Sequence, residues 1–102
     1  MTRTKPETAL VSQCLNYLQL RGIPSWRNNS GAVKVGKQLV RFGQVGSPDI
    51  LGILPFGRLL AIECKVGRNK LSPAQEDWLE RARVAGARCE VIRSLDELMA
   101  IL

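Results

Sequence analysis

Hydrophobic positions recur at three- and four-residue spacing in two stretches of the chain, and they run continuously or alternate in the others. In the first stretch Leu10, Val11, Cys14, Leu15 and Leu18 define one buried face, predicting a helix from about Pro6 to Arg21. Thr4 is its expected cap, Pro6 lies in its first turn, and Gly22 follows its end. Glu7 lies one turn before Leu10 and Val11 on the same face, and it is also spaced to close a capping box with Thr4. The two roles are compatible. Residues 24–42 read as short extended pieces, Ser25-Trp26-Arg27, Ala32 to Val35 and Leu39 to Phe42, broken by Asn28 to Gly31 and by Gly36. They predict strands or a basic hairpin, with a loop from Gly43 to Ser47.

Asp49 to Leu54 and Arg58 to Lys65 are two nearly continuous apolar runs around the turn Pro55-Phe56-Gly57, which predicts a hairpin at the centre of a sheet, covered on both faces. Ser72-Pro73-Ala74-Gln75 carries the cap, first-turn proline and capping-box partner of a second long helix reaching about Ala85. Ala74, Trp78, Leu79, Ala82 and Ala85 mark its apolar face, and Gly86 stops it. Arg88 to Ile92 alternates as a strand, and Ser94 caps a short terminal helix. The order is α, three or more β, α, β, α, in a single domain over residues 1–102.

The hairpin carries candidate chemistry. Glu63 and Lys65 stand two apart on a strand and share a face. A three-residue loop would set Leu54 opposite Arg58 and, stepping down the ladder, Asp49 opposite Glu63, with Cβ atoms about 5 Å apart; a loop one residue longer or shorter would slip this register. A bare Glu-x-Lys is most often an exposed ion pair of little energetic consequence. This one lies in an apolar strand beside a second carboxylate, and burying three charged groups is costly without mutual compensation. Two carboxylates so close repel unless a cation lies between them. Mg²⁺ takes one or two carboxylates and completes its shell with water and phosphate oxygens. Asp49 and Glu63 suit that role, the backbone carbonyl of Cys64 could add an oxygen, and Lys65 could orient the attacking water or offset charge on a phosphate.

Composition narrows the classes. A chain of 102 residues with 45% hydrophobic and 24% charged residues suits one packed domain. Histidine is absent, which excludes Ser-His-Asp and Cys-His triads and histidine-metal nucleases. Cys14, Cys64 and Cys89 are scattered and are expected as reduced core thiols. Fifteen Lys and Arg against nine Asp and Glu give a net charge of +6, which favours a polyanionic partner. Arg27, Lys34, Lys37 and Arg41, with Trp26 and Phe42 on either side, suit phosphate contact or a solvated loop equally. No run reaches the roughly 18 apolar residues of a membrane span, and no secretory leader is evident, so a cytoplasmic location without membrane contact is expected.

Gly46-Ser47-Pro48-Asp49 followed by Ile62-Glu63-Cys64-Lys65 resembles the Pro-Asp…(Asp/Glu)-x-Lys signature of the restriction-endonuclease-like nuclease superfamily. The order of Glu7, Asn29-Ser30-Gly31, the Pro-Asp hairpin, Leu71-Ser72-Pro73-Ala74-Gln75 and Gly86 is similar to that of the VRR-NUC family, across nearly the whole chain. The resemblance implies an α/β fold with an αβββαβ core, a central mixed sheet flanked by helices, and hydrolysis of DNA phosphodiesters with Mg²⁺ or Mn²⁺ and no organic cofactor. It implies that Glu7 is the helical acidic residue and a further candidate metal ligand, Asp49 and Glu63 metal ligands, and Lys65 the catalytic lysine. Gln75 matches the motif glutamine, and its capping of Ser72 is at least as good a reading. Cys64 departs from the valine often found there, with its side chain facing away from the site.

Small stand-alone members of the family resemble Holliday-junction resolvases acting as homodimers, and symmetric resolution of a four-way junction needs two active sites. The leading expectation is therefore a homodimeric, metal-dependent, structure-specific endonuclease for branched DNA. Arg27, Lys34, Lys37, Arg41, Arg68 and Lys70 would hold backbone phosphates. The alternatives are a flap or nicking nuclease, a non-catalytic DNA-binding module that retains the fold, and an assembly subunit using an apolar surface.

Overall fold

The computed structural model describes residues 5–102, so the expected Thr4 cap lies outside the described residues. Helix α1 spans Lys5–Leu20 and buries Leu10, Val11, Cys14 and Leu18. Its end is set by Gly22, whose φ of 72° lets Ile23 N–H donate back to the Leu18 carbonyl at 2.9 Å. Strand β1 follows at Ser25–Arg27, then β2 at Gly31–Val35 and β3 at Gln38–Phe42. Strands β4 (Ile50–Leu54) and β5 (Arg58–Cys64) are joined through Pro55–Gly57, a single 3₁₀ turn in which Phe56 takes a left-handed φ of 65°. Helix α2 (Pro73–Val84), strand β6 (Arg88–Ile92) and helix α3 (Leu95–Ile101) complete the chain.

The main sheet has the order β1-β4-β5-β6, with β5 and β6 parallel and the other pairs antiparallel. The β4–β5 hairpin is central, as its continuous apolar runs predict, and the crossover through α2 supplies the parallel neighbour. Helices α1 and α3 cover one face through a core of Leu10, Val11, Cys14, Leu18, Ile50, Leu60, Ile62, Cys64, Ile92 and Leu98. Helix α2 covers the other through Leu79, packed on Ala61, Ala87 and Cys89. Coverage stops short of the turn: Ile53 and Leu59 are exposed. The apolar stripe of α2 is likewise narrower than its spacing implies, because Ala74 and Ala85 are exposed and Trp78 and Ala82 only partly buried.

Strands β2 and β3 stand apart from this sheet as a two-stranded hairpin, every residue of which is exposed. The core is thus αβββαβ, built of α1, β1, β4, β5, α2 and β6, with the β2–β3 hairpin inserted after its first strand. All three cysteines are buried free thiols. Among the described residues, no helix is long and apolar enough to cross a membrane.

Candidate active site

Four charged or polar side chains are buried among the described residues: Glu7 (5% exposed), Asp49 (2%), Glu63 (1%) and Lys65 (6%). They are four of the five candidate catalytic residues read from the sequence; Gln75, the fifth, is partly buried. Three carboxylates against one ammonium leave a local formal excess of negative charge inside a protein of net charge +6. Such an excess suits a divalent cation.

The register explains how the strands bring them together. Leu54 pairs with Arg58 and Ile50 with Ile62, so Asp49 lies one step beyond the ladder, facing the position of Glu63. Asp49 Oδ2 accepts a hydrogen bond from the Cys64 N–H at 2.8 Å, which fixes its carboxylate against the end of β5. Glu63 and Lys65 alternate with Ile62 and Cys64, whose side chains enter the core beneath α1. Cys64 therefore points away from the site, and its hydrogen bond to Cys14 pulls the Cys14 thiol below its ordinary value of 9.0, against burial, which pushes it up. Lys65 N–H donates to the Ile92 carbonyl at 3.0 Å, extending the parallel ladder by one residue and anchoring the lysine backbone.

Glu7 reaches the same strand end from α1. Its Oε2 accepts from Asn69 Nδ2 at 2.6 Å and lies 3.5 Å from the Val66 N–H. A cavity of about 480 Å³ opens here, with Glu7, Lys65, Gln75 and Arg41 in its wall, while Asp49 and Glu63 are not among its lining residues. Gln75 has two roles at this wall. Its Oε1 accepts from the Ser72 N–H at 2.9 Å and its own N–H donates to Ser72 Oγ at 3.2 Å, so the capping-box reading holds.

The loop bearing Pro48-Asp49 is held from three sides. Asn28 Nδ2 donates to Ser47 Oγ and to the Pro48 carbonyl, each at 2.8 Å, and Asn28 N–H donates to the Asp49 carbonyl at 2.7 Å. Trp78 Nε1 donates to Gln44 Oε1 at 2.8 Å. Gly46, at φ 81°, passes so close to the Ala74 carbonyl that a Cβ there would collide with it.

The predicted phosphate contacts fall in three places, the β2–β3 hairpin, strand β1 and the loop after β5. Lys34 and Arg41 share one face of the exposed hairpin, because Ala32 pairs with Arg41 and Lys34 with Leu39, and Ala32 and Arg41 line the cavity. Lys37 lies in the hairpin turn and Arg27 on β1. Arg68 and Lys70 are exposed on the loop after β5, on either side of Asn69. The opposite hairpin face carries Val33, Val35, Val40 and Phe42, all exposed.

Oxygen donors of this kind fit Mg²⁺ or Mn²⁺: Asp49 and Glu63 are hard, buried carboxylates, and the thiol of Cys64 is turned away. Among the described residues, no group of three or more His, Cys, Asp or Glu side chains converges as a metal cage, so Glu7 does not join Asp49 and Glu63 in one cluster. Mg²⁺ needs no such cage, since backbone carbonyl, water and phosphate oxygens complete its shell.

Sequence reasoning passed over Asn28, Asn69 and Arg93. An asparagine directly before the Asn29-Ser30-Gly31 signature was the available signal for the first. Asn69 carried none, for it meets Glu7 across 62 residues of chain.

A mixed sheet between helices, with paired acids and a lysine at the end of its central hairpin, defines a domain of nuclease type. Residues 4–96 match the VRR-NUC domain family, and the chain belongs to it. A solved structure of a VRR-NUC domain is similar in fold, with a TM-score of 0.71 at 23% identity, covering 96% of this chain and 95% of that one. No curated protein matches the chain.

Proposed function

We propose that the protein is an Mg²⁺- or Mn²⁺-dependent endonuclease that hydrolyses phosphodiester bonds in branched DNA, most readily four-way junctions, as a homodimer. The observation that carries this reading is the burial of Glu7, Asp49, Glu63 and Lys65 at one sheet end, in a chain whose other charged side chains, among the described residues, are not buried. A structural ion pair alone would leave no reason for the hydrophobic hairpin to bury both Asp49 and Glu63 beside Lys65. Membership of the VRR-NUC family supports the same chemistry.

In this reading Asp49, Glu63 and the backbone carbonyl of Cys64 would hold the ion, which when bound would supply Lewis acidity and a more acidic water. The Cys64 N–H holds Asp49 in place through its Oδ2, so the carboxylate is oriented before the ion arrives. Lys65 lines the cavity, where its ammonium would orient the attacking water or offset charge on the phosphate. Glu7, which lines the cavity where Asp49 and Glu63 do not, would reach the ion through a water of its shell. Arg41 and Lys34, on the hairpin face beside the cavity, hold flanking phosphates. The exposed Val33, Val35, Val40 and Phe42 offer a second copy an apolar surface.

The test is a substrate panel. Labelled four-way junction, flap and plain duplex are incubated with the protein and Mg²⁺ or Mn²⁺, and the mass of the free and DNA-bound protein is measured by light scattering. Paired cuts in the junction by a dimer support the proposal. Preferential cutting of the flap by a monomer would replace it with the flap-nuclease reading, and binding without cutting would leave a DNA-binding module.

A further inference from the structure

One buried carboxylate of the site is held by a residue outside every motif. Glu7 Oε2 receives Asn69 Nδ2 at 2.6 Å, a short bond of the kind made to charged acceptors. Asn69 is exposed and lies in the loop between Val66 and Leu71, a segment with no periodic packing of its own. The loop is nevertheless fixed. Its turn closes through Asn69 N–H to the Val66 carbonyl at 3.1 Å, and Arg93 Nη1 donates to the Gly67 carbonyl at 3.2 Å and the Asn69 carbonyl at 2.9 Å. Arg93 is itself placed by β6, which it follows directly, and its backbone N–H is held by Glu97 Oε1 at 2.6 Å. A continuous relay therefore runs from the end of β6 through Arg93 and the 67–69 loop to the Glu7 carboxylate on α1.

We infer that Asn69 is a positioning residue for Glu7, and that Arg93 acts through it by clamping the loop. The inference rests on the proposed reading of Glu7 as an acid that meets the ion through a water of its shell. An amide donor fixes Oε2 and with it the plane of the carboxylate, so the remaining geometry of Glu7 toward the cavity is set before a cation or water arrives. Were Asn69 a mere surface residue, an exposed polar side chain would not need its backbone carbonyl held by a guanidinium from the segment after β6. Partners of this kind around metal sites typically contribute about 10- to 100-fold in metal affinity or activity.

The experiment uses the full chain and Mn²⁺ alone, with bound and free ion counted by electron paramagnetic resonance, alongside the Mg²⁺ concentration that gives half-maximal junction cleavage. Wild type, N69A, N69S, R93A, E7A and the N69A/E7A double variant are compared, with thermal unfolding of each in the absence of metal. Asn69 is exposed, so its variants should melt close to wild type; N69S keeps a polar but shorter side chain should N69A prove insoluble. Expected are a roughly 10-fold weaker Mn²⁺ affinity and a matching rise in the Mg²⁺ requirement for N69A, a smaller effect for R93A, and no further loss when N69A is added to E7A. Wild-type metal dependence in N69A and N69S, with E7A impaired, would overturn the inference and leave the Glu7 reading intact. Wild-type metal dependence in E7A itself would overturn that reading, and the inference with it. Additive losses in the double variant would show that Asn69 acts on something other than Glu7.

Discussion

At the scale of single residues, a carboxylate is useful in this fold only if its oxygen atoms are aimed, and each aimed atom here is held by a backbone amide or an asparagine. The Cys64 N–H aims Asp49, Asn69 aims Glu7, and Asn28 holds the peptide bond before Asp49 by donating to the Pro48 carbonyl. N28A removes two side-chain hydrogen bonds and strands a carbonyl next to a buried proline. It should cost about 1–3 kcal/mol in urea unfolding and slow cleavage without altering the salt dependence of DNA binding. Unchanged stability would mean that water replaces the amide at no cost. Cys89 gives a pH signature. Desolvation raises its thiol above the ordinary 9.0, offset in part by Arg83. The folded state thus holds the proton longer than the unfolded chain, so the stabilisation is complete below the ordinary thiol value and declines as pH rises through and beyond it. C89A should flatten that alkaline decline in thermal melts, and an unchanged slope would assign the decline to other groups.

The residues legible in the sequence were those whose relation is short and periodic. Glu63 and Lys65 share a face because strand side chains alternate, and Asp49 faces the position of Glu63, one step beyond the ladder, because a three-residue turn fixes the register, as the pairing of Leu54 with Arg58 bears out. Asn28, Asn69 and Arg93 act from irregular segments across 20, 62 and 24 residues of chain, where no periodicity reports what will touch.

At the scale of elements, α2 links stability to the site. Ser72 and Gln75 close its capping box at the cavity wall, and Ala74 supports the loop that delivers Asp49. S72A should destabilise the protein by about 1 kcal/mol, read as a shift in the denaturation midpoint. Retention of the wild-type midpoint would show that the Gln75 half of the box suffices. G46A is expected to do more harm to activity than to folding: a Cβ at φ 81° against the Ala74 carbonyl must displace the 43–48 loop and carry Asp49 from the Cys64 N–H. Wild-type cleavage by a folded G46A would refute that coupling. The central hairpin was legible because both its faces are apolar, and both long helices because each had a cap or a stop. The residues of β2 and β3 left strand in the sheet and free hairpin open, and their structure is a free hairpin because neither face has a core to join.

At the scale of the whole molecule, the net charge of +6 surrounds a site of opposite sign. In the proposed reading the basic exterior would draw in the polyanion, and the acidic site would hold the cation that the phosphate also needs. The triple variant K34A/K37A/R41A should weaken DNA binding at all sequences alike and reduce the slope of log affinity against log salt by about 0.9 for each phosphate that is no longer neutralised. A slope equal to that of wild type would mean that the hairpin does not touch the backbone. The measurement that tests the central claim most directly is single-turnover cleavage of a labelled four-way junction with and without Mg²⁺, by wild type, D49A, E63Q and K65A proteins shown to be folded by circular dichroism. Wild type should cut only with metal, and each variant should lose at least about 100-fold in rate. Metal-independent cutting, or cutting undiminished in the three variants, would contradict that claim.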